Sequence, residues 1–273
     1  MRLPNWYGVD ADGLKYYRAW HFHASGLVKH GFSTRIGGVS DSPFDTLNLG
    51  LAVEDDPSKV IQNRRKFASA LEIDLNRIVV PKQVHGNAVR VVTEADAGRG
   101  SIDLDSSVDE VDALITNVPN LPLALHFADC VSIFLLDPAN KVIGLAHAGW
   151  KGTAAKVVTA TVEAMVNEFG SDSRTMLAAI GPAIGRCCYE VAEDTARQLF
   201  KAFPYDERVI KQFSTTKWRA DLKTANLMLL IEAGLEDSNI AISEVCTSCN
   251  GLEFFSYRRD GNTGRMGGWI SLV

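Results

Sequence analysis

Three short segments of the 273-residue chain hold residue types that bind first-row metals: KQVHGN around His85, HFADCV around Cys130 and GLAHAGWKGT around His147. A soft thiolate and two imidazoles suit such an ion, and three protein ligands leave a fourth position open for water, as in a catalytic zinc site. The separations of 45 and 17 positions are not those of a structural finger. A plainer reading stands beside this one. A cysteine in an apolar strand is usually a small buried hydrophobe, and an isolated histidine is usually a satisfied core residue. Asp129, adjacent to Cys130, is a candidate proton shuttle, although strand alternation turns neighbouring side chains to opposite faces and suits a structural or ligand-orienting role. In a continuous strand His126 shares a face with Cys130 and approaches the same site.

Two polar, glycine-rich segments read as anion-handling loops: HGFSTRIGGVSD at 30–41 and FFSYRRDGNTGRMGG at 254–268. Arg35, Arg258, Arg259 and Arg265 are candidates for gripping phosphate or carboxylate in fork geometry, with hydroxyls from Ser33, Thr34 and Ser256. The alternative is a set of solvated hairpin turns, which arginine beside Asp-Gly also describes. After His147, the run Gly149-Trp150-Lys151-Gly152-Thr153 leads from a strand into a helix, where free amides favour an anion or the glycines simply make a tight turn. Cys246 and Cys249 form one CxxC pair. With no second CxxC to complete a zinc knuckle, ordinary thiols are expected there.

These residues need a scaffold, and apolar runs bounded by Gly, Pro, Asn and Asp predict strands near 77–81, 88–93, 123–136, 141–147, 175–180 and 240–246. Helical spacing predicts helices over 153–168, 191–203 and 221–233, the first ending before Gly170 and the last closing at Gly234. The alternation is too irregular for repeated βαβ units. The expected fold class is α/β of the mixed, α+β kind, with mixed β-sheet layers and packed helices. No repeat or linker marks a boundary, so residues 1–273 are read as a single domain.

Composition narrows the function. A 46% hydrophobic content supports a well-buried core, while a formal charge of −5 offers no global field to attract nucleic acid. The N-terminal residues lack a secretory pattern, and the apolar stretch 121–136 is interrupted by His126 and Asp129, so no membrane segment is expected. Five cysteines form no secreted disulfide framework, and a cytoplasmic, reducing setting follows as the expectation. Nothing in the sequence defines an oligomer.

The series HGFSTRIGGVS, TLNLG, QVHG, VDALIT, ADC, HAGWKGT, IGPAIG, CCYEV and FFSYRRDGNTGRMG, running almost end to end, resembles the YfiH/YlmD family. That family is also described as multicopper polyphenol oxidases or purine nucleoside phosphorylases. The resemblance implies that His85, Cys130 and His147 are metal ligands, with zinc as the cofactor and copper as the alternative. It implies a fold shared with cysteine-hydrolase-like deamidating toxins, and a purine nucleoside and phosphate as small-molecule partners. The implied reactions are phosphorolysis of adenosine, inosine and methylthioadenosine and hydrolytic deamination of adenosine. In the latter, zinc lowers the pKa of a water that attacks C6. The H-x-E and P-C-x-x-C signature of the familiar zinc deaminases is absent, so any deamination uses a different constellation.

Three rival classes remain open. A Cys130–His147 pair is also the arrangement of a metal-free thiol hydrolase. A copper site oxidising phenols fits some family names, yet six histidines are too few for a multicopper cluster beside three firm ligands. A non-catalytic, metal-dependent module or editing factor acting on a cell-wall precursor is the third.

Overall fold

The computed structural model describes residues 5–204 and 206–273, which form three β-sheets and seven α-helices. The first sheet contains β1 (Trp6–Ala11), β2 (Leu14–Ala19), β3 (Val28–Ser33), β6 (Leu123–Phe127) and β14 (Met266–Leu272). Its order is β1-β2-β3-β14-β6, and every pair is antiparallel. The second contains β4 (Val89–Val91), β5 (Ala113–Thr116), β7 (Val131–Asp137), β8 (Val142–Ala148), β9 (Leu177–Ile180) and β13 (Ile240–Ile242). Its order is β13-β9-β7-β8-β5-β4; only the outer pairs, β13 with β9 and β4 with β5, are parallel. A small third sheet joins β10 (Glu190–Val191), β12 (Lys217–Ala220) and β11 (Ile210–Ser214) in that order.

The two large sheets face each other across an apolar layer that includes Phe32, Phe127, Phe134, Leu145 and Ile270. Helices α4 (Val157–Phe169) and α6 (Leu222–Glu232) cover the far side of the six-stranded sheet, where Val158, Val162 and Met165 join one cluster with Ile133, Leu135 and Ala146. Helix α2 (Pro57–Leu71) covers the far side of the five-stranded sheet through Phe67 and Leu71, with Phe67 and Trp269 ring centroids 4.8 Å apart. Coverage on both faces explains why β7 and β8 are near-continuous apolar runs, buried at every position. The shorter helices are α1 (Trp20–Ser25), α3 (Trp150–Ala154), α5 (Glu193–Ala202) and α7 (Tyr257–Asp260).

The mixed α/β class is borne out, and several boundaries move for identifiable reasons. The strand expected over 123–136 is two strands, β6 and β7, in different sheets, because Asp129 adopts a left-handed φ of 89° and turns the chain between them. The helix expected over 153–168 starts earlier and breaks at Lys156, whose φ is 59°, giving α3 and α4. Segment 77–81 is no strand: a 3₁₀ turn at Leu75–Arg77 is followed by isolated bridges from Val79 to Leu123 and from Pro81 to Val108. Helix α2 was not anticipated, although Asp56 caps it by accepting from Ser58 N–H and Pro57 occupies its first turn. No helix among the described residues is long and apolar enough to cross a membrane.

Candidate metal centre

Cys130 ends the turn between the two large sheets, His147 lies near the end of β8 opposite Ser132 on β7, and His85 sits on the loop before β4. Their donor atoms all lie within 4.8 Å of one another. Period-two alternation along β8 sends Ile143, Leu145 and His147 toward the layer between the sheets, while Val142, Ala146 and Ala148 face the helices. His147 is 3% exposed, Cys130 is half-buried and His85 is exposed, so the cluster opens to one side. Gly149 permits the approach. A Cβ there would stand 3.0 Å from Cys130 Sγ and 3.1 Å from His85 Cδ2.

Asp112, wholly buried just before β5, organises two of these residues. His147 Nδ1 lies 2.8 Å from Asp112 Oδ1, which also accepts the His85 backbone N–H at 3.0 Å, while Oδ2 accepts from Gly86 at 2.6 Å and Val84 at 3.2 Å. These amides hold His85 at its left-handed φ of 62°. With His147 Nδ1–H donating to the Asp112 carboxylate, the ring presents Nε2 as the nitrogen free to ligate. Burial pushes the Asp112 carboxyl up, but His147 and the amides of Gly86 and His85 more than offset it and hold it below its ordinary value. Burial opposes ionisation of Cys130 and His147 as well. Their mutual attraction prevails, taking the thiol down to about 6 and the imidazole up. A thiolate and an imidazole fixed by a carboxylate, with a third imidazole alongside, fit a first-row cation.

The cluster lines a cavity of about 670 Å³ that also exposes Gly50, Lys82, Gln83, Arg64, His126, Tyr257 and Arg265. Arg64, 2% exposed on the buried face of α2, donates to the carbonyls of Leu49, Gly100 and Ser101 at 2.7–2.8 Å. Its remaining nitrogen lies 3.2 Å from His126 Nε2. Neither Arg64 nor Arg265 makes an ion pair among the described residues, and burial lowers both from the usual guanidinium value, Arg64 to about 9. Burial, and then Arg64 and Arg265, push His126 well below its ordinary value, so it is neutral. Gln83 clamps the His126 backbone by donating to its carbonyl at 3.0 Å and accepting its N–H at 2.8 Å. Because the chain turns after Phe127, His126 faces Arg64 on the α2 side of β6, not Cys130 along a continuous strand.

The loop arginines divide. Arg265 lines the cavity, whereas Arg35, Arg258, Arg259 and Ser33 do not. Arg35 pairs with Asp45 at 3.1 Å, donates to Gly251 O and lies over the Phe255 ring at 4.7 Å. Arg258 donates to Glu190 O and covers the Tyr189 ring, and Arg259 grips Asp260 and the carbonyls of Thr247, Ser248 and Phe254. Buried Ser33 accepts from Gly267 N–H. Asp129, at the mouth of the turn, accepts from Thr247 Oγ1 at 2.7 Å, Ser256 Oγ at 3.0 Å and Arg258 N–H at 2.7 Å, so its carboxylate ties the 254–268 loop to the turn.

Residues 29–273 match the family model described as multi-copper polyphenol oxidoreductase laccase. The chain belongs to this family. Within it, the purine nucleoside phosphorylase YlmD of Geobacillus stearothermophilus is 42% identical over 238 residues, 86% of this chain and 87% of the relative. Adenosine deaminase RL5, from an unknown prokaryotic organism, is 34% identical over 237 residues, 86% of this chain and 90% of that protein. The crystal structure of YlmD from Geobacillus stearothermophilus superposes with a TM-score of 0.91 at 39% identity, covering 97% of each chain. The YfiH/YlmD resemblance read from QVHG, ADC and HAGW is therefore borne out.

Asp112, Arg64 and Gln83 escaped the sequence reading. A signal existed for two of them. Asp112 is a charge directly abutting the apolar strand Ala113–Thr116, and Arg64 sits at helical spacing with the apolar Val60, Phe67 and Leu71.

Proposed function

We propose that the protein is a zinc-dependent purine nucleoside enzyme that phosphorolyses adenosine, inosine and methylthioadenosine and hydrolytically deaminates adenosine. The observation that carries this reading is a pair of guanidiniums without carboxylate partners among the described residues, buried Arg64 and half-buried Arg265, sharing one cavity with the His85, Cys130 and His147 donors. Buried cations ordinarily carry an anionic partner. Neither has a carboxylate among the described residues, and phosphate supplies the missing charge. A cavity of about 670 Å³ lies within the range that encloses a small ligand.

His85, Cys130 and His147 hold the zinc, which when bound supplies Lewis-acid polarisation and an activated water. Asp112 keeps the His147 proton on Nδ1. Arg64, immobilised by three carbonyls, and Arg265 bind and orient phosphate against the ribose side of the substrate, where the phosphate's negative charge stabilises the oxocarbenium-like ribose as the glycosidic bond breaks. Neutral His126 orients Arg64. Tyr257, exposed at the cavity mouth, offers a face for the purine ring. Asp129, Arg35, Arg258, Arg259 and Ser33 fix the loops that close the cavity, and Asp129 reaches the reaction only through Cys130.

The polarised Cys130–His147 pair also favours a second reading, a thiol hydrolase with the toxin-like fold, in which no metal takes part. The copper oxidase reading rests on the family's description alone. Metal-replete and chelated protein assayed against a panel of purine nucleosides test the proposal. Turnover restored to the chelated protein by zinc is expected. Absence of turnover for every nucleoside with the zinc-loaded protein overturns it, and turnover of a thiol-hydrolase substrate by chelated protein establishes the second reading.

A further inference from the structure

A second cluster lies outside the cavity. Strands β9 and β13 are parallel neighbours, and their C-terminal extensions stay paired: Ser243 N–H donates to Ile180 O, Ala183 bridges to Cys246, and Thr247 N–H donates to Ala183 O. This pairing sets two turns side by side. In one, the N–H groups of Cys188 and Tyr189 return to Gly185 O; in the other, the Asn250 backbone and side-chain amides close on Cys246 O. The turns point Cys187, Cys188, Cys246 and Cys249 at one spot, with all four sulfurs within 4.8 Å of one another. Cys249 Sγ is 3.3 Å from Cys188 Sγ and 3.5 Å from Cys187 Sγ. The partner that the CxxC pair lacks in the sequence is thus the adjacent Cys187-Cys188 pair, brought in by strand pairing.

We infer that Cys187, Cys188, Cys246 and Cys249 form a second metal site, a four-thiolate cage for a single structural zinc ion that staples the two turns together. Zinc–sulfur bonds of about 2.3 Å in a tetrahedron place the sulfurs about 3.8 Å apart, the spacing this cluster already approaches. Gly185 N–H points at Cys246 Sγ at 3.2 Å and supports it as a thiolate. Four thiolates around a divalent ion leave a net charge of about −2, and three cations stand on the same backbone. Lys223 Nζ donates to Ser243 O and Val245 O, Arg259 to Thr247 O and Ser248 O, and Arg219 to Cys187 O. A purely hydrophobic thiol cluster needs no such ring. Thr247, held between the two cage cysteines of its turn, donates to Asp129, the residue before Cys130. The cage therefore positions the turn against which the first metal centre is built. It takes part in no reaction step.

The test is metal content by elemental analysis of anaerobically purified protein, with wild type and two single variants. Two zinc ions per chain are expected for wild type. Cys249→Ser, on an exposed turn, loses one and keeps the other; Cys130→Ala does the reverse. Cobalt substitution of Cys130→Ala then reports the cage alone through the intense thiolate charge-transfer and tetrahedral bands of a four-sulfur site. Should Cys249→Ser not fold, wild type decides: Cys187 and Cys249, both exposed, resist alkylation until a chelator removes one zinc. Unchanged metal content in a folded Cys249→Ser, rapid alkylation of both thiols in zinc-replete protein, or a disulfide within the cluster overturns the inference.

Discussion

Asp112 Oδ1 lies 2.8 Å from His147 Nδ1, and the same oxygen takes the backbone N–H of His85 at 3.0 Å. One buried carboxylate thus sets the ring orientation of one imidazole and the backbone of the other, although the three residues span 62 positions of the chain. Its second oxygen binds Gly86 and Val84 and leaves no lone pair idle. The pair is buried and mutually satisfied, so removing either member leaves an uncompensated polar group.

Asp112→Asn tests this relationship. The amide keeps the shape but forfeits the charge, and it offers a donor where the His85 and Gly86 amides need acceptors. Zinc affinity of the first centre is expected to fall about 10–100-fold, the usual effect of losing a carboxylate behind a metal-bound histidine. Competition with a chromophoric chelator measures it. Affinity within a factor of two of wild type removes Asp112 from the centre.

The arginines separate by where they lie. Arg265→Ala removes a cavity-lining cation without an ion-pair partner, and its expected effect is a rise of about 10–100-fold in the KM for phosphate, the worth of one charged hydrogen bond. Arg35→Ala breaks the Asp45 pair and the Phe255 contact outside the cavity. It is expected to cost about 1–2 kcal/mol of stability while sparing phosphate KM. Phosphate titrations and urea unfolding of both variants check the contrast, and an Arg35→Ala variant of full stability with weakened phosphate binding reverses the assignment.

Much of the metal centre was legible because the three ligands lie in short segments of distinctive chemistry. Residues that act through space were not. Nothing local couples Asp112 to His147, since the carboxylate reaches its partner through the pairing of β5 with β8. Arg64 joins the cavity only because α2 covers the five-stranded sheet, and Cys187 meets Cys249 only because β9 and β13 run parallel. The same limit explains the misjudged strand over 123–136. Its apolar content fits one long strand as well as two, and the left-handed residue at Asp129 carries no glycine to announce the turn.

His30 makes stability depend on pH. It is 1% exposed in β3, and its Nε2 accepts the Ala19 N–H at 2.9 Å, an arrangement open only to the neutral ring. Burial first, then the charges of Arg18, His21 and His23, lower its pKa from 6.5 to about 3. The unfolded chain binds a proton at His30 below pH 6.5 and the folded chain does not until about pH 3. Its contribution is therefore intact above pH 6.5 and is lost as pH falls through this window, by up to about 1.4 kcal/mol per pH unit. Urea unfolding of wild type and His30→Asn between those limits checks it. The variant is expected to show the shallower decline, and parallel curves exclude His30 as the titrating group.

The two proposed reactions share one cavity but differ in their acceptor, and phosphate separates them. Deamination of adenosine uses water at C6, whereas glycosidic cleavage uses phosphate at C1′ and draws on Arg64 and Arg265. With adenosine as substrate, omission of phosphate is expected to spare inosine and ammonia and to abolish ribose 1-phosphate and free adenine. Arg265→Ala is expected to mimic that omission, since it weakens the phosphate site and leaves His85, Cys130 and His147 in place. Cys130→Ala acts in the opposite sense. It removes the only thiolate among the three ligands, so ammonia release is expected to fall first, and adenine release persisting with phosphate shows that the metal centre chiefly organises the cavity for phosphorolysis. Chromatography of all products, with and without phosphate, reads both branches in one assay. Equal loss of both products on omitting phosphate shows that phosphate supports the cavity itself and rejects the division of labour between the arginines and the metal ligands.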